Sequence, residues 1–203
     1  MKSLHRDDLF GWSLFDESRN IDFHSLLWRR AEGNVAIDPL PLSAHDAQHL
    51  DSLGGVRHIV VTNSDHLRAA QELKQRYNAE LCGPAAEQTS FGSGCDRWLA
   101  DGDSVVPGLV AYSLDGSKTP GELCLVLEGT TLITGDLIRA QRGGALNLLP
   151  DAKLADPVAA RRSVRGLARR ISVQCVLVGD GWHVFQDGQR ALEALVASFP
   201  DDS

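Results

Sequence analysis

Along this chain, short apolar runs rich in β-branched residues are repeatedly broken by Gly, Pro, Asn or Asp, and amphipathic stretches fall between them. "IDFHSLLWRR" and "NVAIDP" read as strands joined by a hairpin turn at "AEGN". "SAHDAQHLDSL" follows, with Ser43 placed as N-cap and Gly54-Gly55 as the stop, so a short helix is expected. After the β-branched run "RHIVVT", Leu67, Ala70 and Leu73 recur at helical spacing, predicting a helix from about Ser64 to Tyr77. "AELCG" reads as a short strand, and "DSVVPGLVAYSL", "ELCLVLEG" and "TTLITGD" as strands with glycine-containing turns. "DPVAARRSVRGLARRI" has the pattern of a helix with Asp156 as N-cap and Pro157 at its first position. One more strand, "VQCVLVGD", and a last helix, "DGQRALEALVASF", complete the series.

Strands and helices are thus interleaved, with strand pairs in each half and helices to cover them, which is the signature of layered sheet and helix. With no repeat of short period and no Pro/Ser-rich linker, residues 1–203 read as one domain large enough for a full core. A net charge of −7 and the lack of a basic block argue against nucleic-acid binding. The charged amino terminus carries no apolar h-region and no run is long enough to cross a bilayer, so no membrane association and a cytoplasmic location are expected. Cys124 and Cys175 lie in apolar runs and read as small buried thiols; Cys82 and Cys95 lack the spacing of a structural zinc site.

The chemistry gathers where strands end. "RHIVVT" runs into Asn63-Ser64-Asp65-His66, "TTLIT" into Gly135-Asp136, and "CVLVG" into Asp180-Gly181. Polar groups beyond the carboxyl ends of strands are where α/β folds build ligand sites, and converging carboxylates and imidazoles suit a divalent metal. Each acid also has a local reading: Asp65 in a helix's first turn behind a Ser64 or Asn63 cap, Asp136 opening a turn, and Asp180-Gly181 as turn chemistry.

From about Phe23 to the last helix the order of these landmarks resembles the metallo-β-lactamase superfamily. "AIDPL" around Asp38 is similar to that family's strand ending Ile-Asp-x-Gly, and "VVTNSDHLRAA" to its Thr-His-x-His-x-Asp-His segment. "LDGSKTPGE" falls where the family has Pro-Gly-His-Thr-x-Gly, Gly135-Asp136 where it has the carboxylate bridging two metals, and Gly179-Asp180 where it has a closing Gly-His. The resemblance implies an α+β fold, a four-layer αββα sandwich of two mixed β-sheets flanked by helices. It also shows how far the ligand set has changed. An ungapped alignment puts Asn63 and Asp65 on the two leading histidines and Leu67-Arg68 on the Asp-His pair; a two-residue deletion makes Asp65-His66 that pair. Ser117 or Lys118 replaces the third histidine, and only Asp136 is kept under either alignment.

Two functions are therefore open. In one, Asp65, His66, Asp136 and Asp180 hold a single weakly bound zinc, manganese or magnesium, and a metal-bound water serves a divergent hydrolase. In the other, which the loss of histidines favours, there is no metal: Lys118 or Arg68 neutralises Asp136, and the protein binds a small-molecule anion or a protein partner without catalysis. Arg139 and Arg142 stand near the same rim and can grip an anion. Asn63, Ser117 and His183 are further cleft candidates, and association of the chain with copies of itself is left open.

Overall fold

The computed structural model describes residues 1–92 and 94–200. A seven-stranded sheet is built in chain order from β1 (Lys2–Ser3), β2 (Leu9–Asp16), β3 (Ile21–Trp28), β4 (Val35–Ile37), β5 (His58–Val60), β6 (Glu80–Pro84) and β7 (Arg97–Leu99). Its first half is antiparallel and its second, from β4 onward, parallel; α1 (Ala44–Ser52) and α2 (Ala70–Tyr77) supply the β4–β5 and β5–β6 crossovers. Next come β8 (Ser104–Val106), β9 (Leu109–Leu114), β10 (Glu122–Leu127) and β11 (Thr131–Thr134), then a separate hairpin of β12 (Ile138–Arg142) and β13 (Ala145–Leu148). After α3 (Pro157–Arg170), β14 (Cys175–Val178) pairs parallel with β11 and completes a five-stranded sheet, and α4 (Gly188–Ala197) closes the series.

Strand periodicity sorts the side chains into three cores. Between the sheets, Leu26, Ile37 and Val60 meet Leu109, Leu125, Ile133 and Leu177. On the outer face of the first sheet, Ile59, Val61 and Leu81 pack under Leu50 of α1 and Leu73 of α2. On the outer face of the second, Cys124, Val126 and Val176 pack under Val164 of α3 and Leu192 of α4. The result is the helix–sheet–sheet–helix layering expected. All six residues of β10 are buried, which is why the run shows no polar alternation. The caps follow the sequence: Ser43 Oγ accepts from Asp46 N, and Asp156 Oδ1 accepts from Val158 N and Ala159 N.

Several elements depart from expectation. The helix expected from Ser64 to Tyr77 is two pieces: a 3₁₀ turn over Ser64–His66, capped by Asn63 rather than Ser64, and α2 from Ala70. The break lies at Arg68, whose φ is +33°, and Ala69 N bonds outward to Pro39 O. Two faces are needed over this short span, and one continuous helix cannot serve both: His66 turns inward while Ala70 and Leu73 cover the sheet. β2 and the β12–β13 hairpin had no counterpart in the sequence reading. Among the described residues no helix is long and apolar enough to cross a membrane.

Candidate functional site

Two pairs of parallel neighbours deliver the site. Ile37 of β4 pairs with Val60 of β5, so Asp38 and Thr62-Asn63 leave the first sheet side by side. Thr134 of β11 pairs with Val178 of β14, so Asp136 and Asp180 leave the second sheet the same way. The sheets are stitched together at this end: Leu123 N donates to Thr62 O at 2.8 Å, and His24 N to Gly179 O at 2.9 Å. Gly135 permits the approach, since a Cβ there would lie 2.5 Å from Thr62 Oγ1 and 2.7 Å from Glu122 Oε1.

Beneath the surface lies a run of polar contacts. Asp38 accepts from Thr62 N and Thr62 Oγ1, each at 2.7 Å, and from His66 Nδ1 at 2.8 Å. The other nitrogen of His66 faces Asp136 Oδ2 at 3.4 Å. Burial alone would push this imidazole down, but the Asp38 carboxylate and the bonds to Asp136 and Asp38 outweigh it, and its pKa is raised to about 10. His66 is therefore an imidazolium held between two carboxylates. Asn63 Nδ2 donates to Glu122 Oε2 at 3.1 Å and to Asp136 Oδ2 at 3.3 Å, while Ser117 Oγ donates to Glu122 Oε2 at 3.2 Å. Burial first, and the Asp136 charge second, push the Glu122 carboxyl up to about 8.

Cations close over this layer. Lys118 Nζ reaches Asp136 Oδ2 at 2.8 Å and Asp65 Oδ2 at 2.6 Å. Burial opposes its charge, yet the Asp136 and Asp65 carboxylates raise its pKa overall. Arg139 Nη2 donates to Asp136 Oδ1 at 3.2 Å and also to Asp180 Oδ2, and its Nε donates to Asp136 O at 3.2 Å. Although burial opposes ionisation of Asp136, His66 and Lys118 hold its carboxyl well below the usual carboxylate range. Asp180 is shifted the other way, upward by burial that Arg139 only partly offsets, and its Oδ1 is buried without a hydrogen-bond partner among the described residues.

Of these groups, Asp65, His66, Lys118, Asp136, Arg139 and Asp180 face a cleft of about 450 Å³. Its lining carries five basic side chains (Arg19, Arg68, Lys118, Arg139 and Lys153) and three acidic ones (Asp65, Asp136 and Asp180), with the charged His66 beside them. In a chain of net charge −7 this is a locally positive cavity. Ile21, Phe23 and Leu149 supply its apolar part.

The structure thus brings Asp65, His66, Asp136, Asp180, Lys118, Arg68 and Arg139 to one cleft. Of the two cations expected beside Asp136, it is Lys118 that pairs with it. Arg68 lies over the Phe23 ring, 5.3 Å from its centroid, and donates to the carbonyls of His24 and Asp38. Asn63 and Ser117 are buried under the cleft rather than lining it. His183 is not brought there at all: its Nδ1 accepts from Val178 N, and its ring packs 4.3 Å from that of His24 in a neighbouring pocket. Burial pushes this imidazole down to about 3. Arg142, placed near the rim, is exposed and outside the lining.

Two acids escaped the sequence reading. Glu122 is one; the other is Glu87, fully buried, which accepts from Ser64 N at 2.8 Å and from Gly121 N at 3.1 Å. Glu122 carried a signal, as a charge opening the wholly apolar run "LCLVL"; Glu87 carried none. Among the described residues no group of three or more His, Cys, Asp or Glu side chains is arranged to hold a metal ion.

A layered pair of mixed sheets with its polar groups at paired strand ends defines the class, and comparison with known proteins agrees. The family model described as the metallo-beta-lactamase superfamily matches residues 1–199, and the chain belongs to that superfamily. Among solved structures it is similar to a metallo-beta-lactamase from Erythrobacter litoralis, with TM-score 0.77 and 16% identity, over 96% of this chain and 93% of that one. It is also similar to a metallo-beta-lactamase from Pontibacter korlensis, with TM-score 0.74 and 17% identity, over 97% and 98%. At such identities the likeness is one of fold. A hydroxyacylglutathione hydrolase from Brucella anthropi is 33% identical over 85 residues, which span 40% of this chain and 32% of that protein.

Proposed function

We propose that in this member of the superfamily side-chain cations stand in for the metal, and that the cleft binds a small anion without hydrolysing it. One observation carries the reading: the Lys118 ammonium sits between Asp65 and Asp136, against the carboxylate that matches the family's metal bridge. As arranged, the donor set does not fit a divalent ion. Every neighbour of the Asp136 carboxylate named above (Lys118, Asn63, His66 and Arg139) presents N–H groups to it. Protonated lysine and imidazolium have no lone pair to give a metal. Asp38, Asp136 and Asp180 already have cationic partners, and positive charge is left over toward the cleft.

A hydrolase with a single metal on Asp65, His66, Asp136 and Asp180 is the second reading, favoured by the segment shared with the Brucella anthropi hydrolase. It requires Lys118 and Arg139 to withdraw and His66 to lose a proton. Calorimetric titration with zinc, manganese and magnesium, on protein purified without chelator and alongside hydrolysis assays, separates the two. We expect at most one weakly held metal per chain and no turnover. Two tight zinc equivalents, lost together in Asp136→Ala, would overturn the proposal.

A further inference from the structure

At the mouth of the cleft two arginines share one aromatic ring. The guanidinium carbon of Arg68 lies 5.3 Å from the Phe23 centroid and that of Arg19 lies 6.0 Å from it. The ring is anchored by its strand: Phe23 pairs with Leu14 across β2–β3 and forms a bridge to Asp180. Two like charges beside one ring repel each other unless something negative offsets them. Arg68 forms no ion pair with an acid of the described residues; the Asp180 carboxylate acts on it only through space, and its bonds to backbone carbonyls are long, 3.4 and 3.5 Å. The nearest acid to Arg19 is Asp16, at 3.6 Å and on the same turn. Lys153, in the same lining, forms no ion pair with a described acid. Arg68 also holds a φ of +33°, a conformation that side chains other than glycine seldom adopt.

Resting on the anion-binding reading, we propose that Arg19 and Arg68 clamp the phosphate of a small organic phosphate monoester, whose organic part lies against Ile21 and Leu149. Two guanidinium forks beside one ring, with a lysine in the same lining, suit a dianion with three peripheral oxygens; a carboxylate offers one charge and two oxygens. A cleft of about 450 Å³ with an apolar wall suits a phosphate bearing a ring-sized body.

The test is calorimetry on the full chain in phosphate-free buffer, with phenyl phosphate, inorganic phosphate and benzoate as probes. Phenyl phosphate is expected to bind more tightly than either of the others. Arg68→Gly and Arg19→Ala should each weaken it by about tenfold, the loss of one charge-assisted contact, while Arg142→Ala leaves it unchanged. Because glycine is at ease at φ +33°, Arg68→Gly should keep or raise the melting temperature, so lost binding will not be lost fold. Benzoate binding as tightly as phenyl phosphate would overturn the phosphate assignment and leave an anion cleft standing. Undiminished phenyl phosphate binding by Arg68→Gly would overturn the clamp, and no binding of any of the three would overturn the anion-binding reading itself.

Discussion

The Lys118 ammonium lies 2.8 Å from Asp136 Oδ2, joining a side chain that is 30% exposed to one that is 4% exposed. Coulomb attraction is strong on the buried side of such a contact, and the desolvation cost is moderate on the open side. Removing the lysine leaves Asp136 with His66 and Arg139, so the carboxylate is weakened in its support rather than abandoned. Lys118→Ala should therefore cost about 1–2 kcal/mol, below the range for breaking a fully buried pair. The same variant should bind zinc more tightly than the parent, because one competing cation has gone. Urea denaturation and zinc calorimetry measure both effects; unchanged stability together with unchanged zinc affinity would remove Lys118 from the role assigned to it.

Stability should fall as the solution becomes alkaline. His66 is raised from 6.5 to about 10 and Glu122 from 4.5 to about 8, so the folded chain keeps protons that the unfolded chain has released. The loss through Glu122 runs from pH 4.5 to about 8, and that through His66 from pH 6.5 to about 10. Asp136 acts with the opposite sign: its carboxyl lies below 3.8, so its contribution is present above that value and disappears in stronger acid. Greatest stability is thus expected on the mildly acidic side of neutrality. Urea midpoints measured across this range test the slope. In NMR titrations the His66 ring should remain charged at neutral pH and the His183 ring neutral. Stability that climbs between about pH 6 and 9 would contradict the assignment.

What could be read locally was whatever one face or one cap decides. The apolar runs became strands because burial on both sides selects unbroken β-branched and aliphatic residues, as in β10 and β14. Asp156-Pro157 marked the start of α3 because a cap involves only neighbours in sequence. The break at Arg68 was hidden, since Leu67, Ala70 and Leu73 keep helical spacing through it; it arises from Asp38 and Asp136, distant in sequence, which bind His66. Likewise the three acids after three strands stood out, and Lys118 or Arg68 was expected beside Asp136, but the choice between the two and the other partners were not legible. That Lys118 rather than Arg68 meets Asp136, and that Glu87 and Glu122 lie beneath, depends on strand order across two sheets. No local pattern encodes it.

Glu87 holds the loop that carries Lys118. Its two oxygens accept from Ser64 N, beside the 3₁₀ turn, and from Gly121 N, beyond the lysine. Glu87→Ala would leave both amides without their partner and is expected to cost about 2–4 kcal/mol, whereas Glu87→Gln, which keeps one acceptor, should cost about half as much. Hydrogen exchange should quicken at Ser64 and Gly121 in the alanine variant. If both amides stay as protected as in the parent, the carboxylate is not what orders this loop.

The pairing of Arg139 with Asp180 is more deeply buried, with side chains 10% and 1% exposed, and calls for a different experiment. Arg139 also supports Asp136, but that carboxylate has Lys118, His66 and Asn63 besides, while Asp180 Oδ1 already lacks a hydrogen-bond partner among the described residues. Arg139→Met should therefore act chiefly by stranding the Asp180 charge, at about 3–5 kcal/mol, the range for removing one member of a buried pair. Adding Asp180→Leu removes the stranded charge and fills the space with apolar atoms, so the double variant should be more stable than Arg139→Met alone. A double-mutant cycle in urea reads the coupling directly, and about 0.5–3 kcal/mol is the range expected for groups in contact. Losses that simply add would mean that the two residues, though adjacent, are held by other parts of the fold.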